Sequence, residues 1–153
     1  TLIQFDPANK STYEKNFAVY SIQLQNLAEE YDRSLKNCTS RTLVTSHAAF
    51  TYLSKRYNLS SLPISGLSPE QEPSAKSLSF LANIVKTQGI QYVFTETLAS
   101  PKMAQTLADE AGAKTLVLNP LVGLSDDDIK AGKNHVSVME ETLQNLKLGL
   151  GCK

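Results

Sequence analysis

Apolar positions along the first quarter of the chain recur at helical spacing. Tyr13, Phe17, Tyr20, Leu24, Leu27, Tyr31 and Leu35 follow one another by three or four residues, so they line one face of a single helix over residues 10–36. At 1.5 Å per residue such a helix is about 35–40 Å long, more than a small domain needs. A helix of that length packs along one domain and continues past it. Ser11 and Glu14 have the S-x-x-E spacing of a capping box at its start. Residues 1–9, with Asp6-Pro7, read as loop.

Beyond Cys38 the pattern becomes an alternation of short β-rich runs with helical ones. Residues 41–45 form a first strand, followed by a helix carrying Ala49, Phe50, Leu53 and Tyr57. Residues 62–66 are a weaker strand. Ser74 caps a helix with Leu78, Leu81 and Val85 on its inner side, closed by Gly89. Residues 90–95 are a third strand. Ser100 and Pro101 open a helix with Ala104, Leu107, Ala108 and Ala111 inside, ended by Gly112. Residues 115–118 are a fourth strand. A long connection then leads to a last helix with Val136, Met139, Leu143, Leu146 and Leu150. This alternation predicts an α/β fold: a four-stranded, mostly parallel sheet with helices on both faces, preceded by a long linking helix. In such sheets ligands gather at the carboxyl ends of the strands. The loops after Thr45, Gly66, Thr95 and Leu118 are therefore where chemistry is to be sought.

Charge and composition narrow the choice. The 153 residues carry 15 Lys+Arg and 15 Asp+Glu, a formal net charge of zero, and no basic cluster suited to phosphate neutralisation, which excludes nucleic acid as a partner. No apolar run approaches the roughly 18–20 residues of a membrane span. The two His and two Cys are too few for a structural zinc site made only of nitrogen and sulfur ligands. No charged, apolar and small-residue signal segment follows Thr1, which leaves a cytosolic chain or one that has lost its export signal.

The candidate rim holds single residues rather than a complete set. His47 stands where the first strand gives way to a helix, whose positive end favours the neutral imidazole that binds metal; a general base or a structural histidine would fit the same place. Glu70 and Glu72 form a close carboxylate pair, which also suits the start of the next helix. Glu96 emerges from the third strand's end and should face His47. It could be a ligand, a partner of an imidazole N–H or a solvated carboxylate, the last being the default. In the fourth loop Asp126, Asp127 and Asp128 lack the alternate spacing of a calcium loop, and Ser125 with Asp128 reads as a cap. His135 could also face this side, though a solvated or capping role suits it better. There is no Gly-rich phosphate loop, and Ser46 is not in a nucleophile elbow. The residues make one wall of a site whose other wall lies elsewhere.

The run Thr45-Ser46-His47-Ala48-Ala49-Phe50-x-Tyr52-Leu53 resembles a segment of the zinc- and manganese-binding solute-binding proteins of bacterial ABC transporters. Ordered matches continue through Ile64-Ser65-Gly66, Ser68–Ser74, Phe94-Thr95-Glu96, Ser100-Pro101-Lys102, Leu118-Asn119-Pro120-Leu121 and Ser137-Val138-Met139, so the resemblance covers nearly the whole chain. It implies two α/β lobes joined by a rigid helix, with the metal between them. On that basis residues 1–9 are a tail from a missing N-terminal lobe, 10–37 the linking helix and 38–153 the C-terminal lobe. The absent lobe would contribute two further His ligands. His47 matches the first ligand of the C-terminal lobe, and imidazole there favours zinc over manganese. Relatives often carry a carboxylate in a P-L-E-G-L run, but here Val122 occupies that position and cannot coordinate. Glu96 is then a substitute ligand or, more simply, a residue behind the ligand.

The expected function is capture of Zn²⁺ for the membrane permease of an ABC importer, outside the cytoplasmic membrane, in the periplasm or at the membrane's outer face, in a protein that can be lipid-anchored. No catalysis is expected, and zinc binding by this chain alone should be weak or absent. The alternatives are half of a two-lobed enzyme using His47 and Glu96 as acid and base, or an adhesion lobe. Cys38 and Cys152 have no CxxC partner. Cys38 precedes the first strand, at the end of the sheet opposite the rim. The last helix runs antiparallel to the strands and returns to that end. Topology therefore brings the two thiols together as a disulfide, given an oxidising compartment.

Overall fold

The computed structural model describes residues 2–67, 73–97 and 99–153. Helices α1 (Leu2–Phe5) and α2 (Lys10–Ser34) are joined through a 3₁₀ turn, Pro7–Asn9. Residues 1–9 were expected as loop. Instead Pro7 opens the turn, and the Asp6 carboxylate accepts hydrogen bonds from Asn9 and Tyr13, each 2.8 Å. The chain is thus already helical before it reaches Ser11. The expected Ser11–Glu14 box does not form: Asn9 takes the N-cap position and Glu14 pairs with Lys10 at 3.6 Å.

The sheet consists of β1 (Thr42–Thr45), β2 (Ser60–Pro63), β3 (Tyr92–Glu96) and β4 (Lys114–Leu118) in the order β2-β1-β3-β4, with every pairing parallel. Between and after them lie α3 (Thr51–Arg56), α4 (Ala75–Thr87), α5 (Lys102–Ala111), α6 (Asp126–Lys130) and α7 (His135–Leu150). The second strand begins two residues earlier than its apolar run, because Thr42 pairs with Ser60 and Thr45 with Pro63. It is an edge strand, which tolerates Pro63. The helix after His47 is broken into a 3₁₀ turn, Ala48–Phe50, and the short α3. Ser100 does not occupy the cap of α5; that place falls to Pro101, one residue on. Ser74 does cap α4, accepting from Ser77 N at 3.1 Å.

Strand pleating distributes the core to both faces. Leu43 of β1 and Phe94 of β3 join Leu27, Tyr31, Leu35, Leu118, Leu143, Leu146 and Leu150, the side of α2 and α7. Their neighbours Val44 and Val93 join Leu81, Val85, Leu107 and Ala108, the side of α4 and α5. The long apolar stripe of α2 is split between two environments. Leu27 and Tyr31, with Leu35 just beyond the helix, are buried, whereas Phe17, Tyr20 and Leu24 are exposed. The first half of the helix therefore extends past the body of the sheet.

Two devices fasten the buried half. Arg41 donates to carbonyls at the ends of two helices: Leu35 O at 2.5 Å, Asn58 O at 2.9 Å, and Tyr57 O. The second is the predicted disulfide between Cys38 and Cys152, which is formed. Around it the chain after α2 lies antiparallel to the last residues, with Thr39 N donating to Gly151 O (3.2 Å), Ser40 N to Leu150 O (2.9 Å) and Lys153 N to Asn37 O (3.1 Å).

Candidate metal centre

The carboxyl ends of β1 and β3 bring two of the expected residues together. Thr45 pairs with Phe94. Two residues farther along each chain, His47 and Glu96 meet, with Nδ1 and Oε1 2.5 Å apart. From its position alone Glu96 was expected to be a solvated carboxylate by default, and from the resemblance a substitute ligand or a residue behind the ligand. It is the last residue of β3, with a side chain only 3% exposed, because β1 and β4 flank it. Burial pushes its carboxyl above the ordinary carboxylate value, while the adjacent His47 pulls it down through charge and hydrogen bonding. With Glu96 ionised its carboxylate can only accept; Nδ1 then carries the proton of this bond, which leaves Nε2 to hold a metal. The His47 side chain is 12% exposed.

The backbone at His47 is held on several sides. Ser46 N donates to Phe94 O (3.1 Å), Ser65 N to Ser46 O (2.9 Å) and Ala48 N to Gly66 O (3.0 Å). Thr45, wholly buried, donates its hydroxyl to His47 O at 2.8 Å. Thr45 was read as the end of the first strand and the opening residue of the matched run, with no role of its own. Its spacing of two before a strand-end histidine, at the head of the matched run, is the signal in the sequence that could have pointed to this role.

The other rim candidates do not join the pair. Glu70 and Glu72 lie outside the described residues. Ser125 and Asp128 form the expected capping box on α6, and Asp128 also pairs with Lys133 at 2.9 Å. His135 is exposed at the start of α7, whose cap is Asn134. Val122 is 77% exposed in the loop after β4. Among the described residues no three His, Cys, Asp or Glu side chains converge. An imidazole backed by a buried carboxylate fits zinc chemistry, yet it supplies one ligand where a closed site takes about four.

Residues 1–149 match the family described as zinc-uptake complex component A, periplasmic (ZnuA). The chain belongs to this family. It is 48% identical over 141 residues to the zinc-binding lipoprotein AdcA of Streptococcus pneumoniae (strain ATCC BAA-255 / R6), covering 92% of this chain and 28% of that protein. It is 43% identical over 152 residues to the high-affinity zinc uptake system protein ZnuA of Bacillus subtilis (strain 168), covering 99% of this chain and 48% of that one. Among solved structures, the Zn(II)-bound ZnuA-like domain of Streptococcus pneumoniae AdcA superposes with a TM-score of 0.81 at 46% identity, over 97% of this chain and 56% of that one. This member of the ZnuA family thus spans about half, or less, of the relatives it matches. No helix among its described residues is long and apolar enough to cross a membrane.

Proposed function

We propose that this chain is the C-terminal lobe and linking helix of a zinc-capturing solute-binding protein, with His47 as the ligand it contributes. The observation that carries the reading is the His47–Glu96 pair at the strand ends. A carboxylate fixes the ring tautomer and raises the basicity of the free nitrogen, the arrangement typical of zinc-bound histidine. Zinc is the cargo, and no residue acts as a catalyst. The remaining ligands come from a second lobe that packs on the exposed first half of α2. The division then follows the elements: 1–9 belong with that lobe, 10–37 link, and 38–153 form the second half of the site. The family description, a periplasmic zinc-uptake component, and the relatives' names, a zinc-binding lipoprotein and a zinc uptake system protein, support placement outside the cytoplasmic membrane and a part in zinc uptake, with delivery to an ABC importer's permease as the step this reading adds.

Isothermal titration with Zn²⁺ at neutral pH tests this. The chain alone should bind weakly, and a two-lobed protein containing it should bind tightly at one ion per molecule. In that protein His47→Ala should weaken binding by orders of magnitude without unfolding it, since His47 sits on the rim. Sub-micromolar one-to-one binding by this chain as a monomer would refute the half-site. Turnover of a small substrate without metal would favour the acid–base reading of the same pair.

A further inference from the structure

We infer that Thr45 is a positioning residue for the metal-binding histidine: its buried hydroxyl fixes the His47 peptide so that the ring meets Glu96 with Nδ1 and turns Nε2 to the metal. This rests on the assignment of His47 as a ligand. The Thr45 side chain is wholly buried, and its hydroxyl hydrogen bonds to His47 O at 2.8 Å. The flanking carbonyls are served otherwise: Thr45 O accepts from Ile64 N, Ser46 O from Ser65 N and Ala48 O from the Thr51 hydroxyl. The strand pairing of Thr45 itself uses only backbone groups, at Ile64 N and in the register with Pro63 and Phe94. The hydroxyl is therefore not needed to hold β1 in the sheet. Its bond holds the carbonyl end of the peptide that follows His47, while Ser65 N holds the carbonyl of the peptide that precedes it.

His47 is held from two sides as a result. Glu96 grips the ring and Thr45 grips the carbonyl, while the extended backbone at His47 (φ −144°, ψ 179°) carries the chain from strand into the 3₁₀ turn. Without the Thr45 hydroxyl this peptide keeps only the bond from Ala48 N to Gly66 O (3.0 Å) and its carbonyl end is released, which loosens the support beneath the Nδ1–Glu96 contact. A ligand held loosely reaches the metal in the right orientation less often, so affinity falls even though no ligand is lost.

The test uses this chain with ¹⁵N-labelled histidine and compares Thr45→Val, which keeps the shape, with Thr45→Ser, which keeps the hydroxyl. Without metal, the wild type and Thr45→Ser should show His47 as one tautomer with the proton on Nδ1, and Thr45→Val a mixture. Zn²⁺ titration read on the same signals should be roughly tenfold weaker for Thr45→Val and near wild type for Thr45→Ser. An unchanged tautomer and zinc affinity in a folded Thr45→Val protein would overturn the inference. Should that variant fail to fold, Thr45→Ala replaces it, and failure of both would also overturn it, since the hydroxyl would then serve the sheet. His47→Ala separates the two ideas. Unchanged zinc binding in that variant would remove the ligand assignment, while the tautomer comparison would still report on Thr45.

Discussion

Removing the Cys38–Cys152 bridge should cost this protein several kcal/mol while leaving its fold recognisable. The bond joins positions 114 residues apart. In the chain-entropy model, opening a loop of that length frees the unfolded ensemble by about 4–5 kcal/mol at 25 °C. The folded state loses little beyond the bond, because the backbone pairing around it persists: Thr39 N to Gly151 O, Ser40 N to Leu150 O and Lys153 N to Asn37 O. The loss should thus come from the unfolded side. For a chain of 153 residues it corresponds to a melting temperature lower by about 10–20 °C. The assay is urea unfolding of the Cys38→Ala/Cys152→Ala double variant against the oxidised protein, since a single substitution leaves a reactive thiol. The midpoint should fall by about 2 M for a slope near 2 kcal/mol per molar, and the slope should rise as the unfolded chain expands. Intact mass after alkylation confirms the bond in the starting material. A stability loss below about 1 kcal/mol with an unchanged slope would refute the loop-entropy reasoning.

Other expectations follow from particular contacts. Glu96→Gln in a two-lobed protein should weaken zinc binding roughly 10–100-fold with little change in melting, read by titration and calorimetry, because the ring loses its charged acceptor. Gly149→Ala should cost about 1–3 kcal/mol in denaturant unfolding, since an added Cβ would lie 2.3 Å from Phe94 Cζ in the core between α7 and β3. Arg41→Met should cost about 2–4 kcal/mol, as it strips a charged donor from the carbonyls of Leu35, Tyr57 and Asn58; hydrogen exchange should show the end of α2 loosened against the lobe.

Local pattern was enough for much of this molecule. The spacing from Tyr13 to Leu35 specifies a helix wherever it is placed, because i, i+3 and i+4 positions share a face in any α-helix. Alternating β-rich runs and capped helices imply a parallel sheet, since parallel strands need crossovers, and that topology carries Cys38 to Cys152 and His47 to the rim at the carboxyl ends of the strands. What the tertiary structure decided depends on partners distant in sequence. Nothing in the stripe of α2 says that Leu27 and Tyr31 are covered while Phe17 is not; that is set by where the sheet and α7 end. The start of β2 at Ser60 is fixed by pairing with Thr42, not by its own apolar run. That Glu96 could back His47 was one of several readings open in the sequence; its burial is decided only where β1 and β4 close around it, and the role of the Thr45 hydroxyl only where it meets the carbonyl two residues on. Burial of a polar side chain, and the hydrogen bond that makes it tolerable, are properties of several segments meeting at once, and no single segment encodes them.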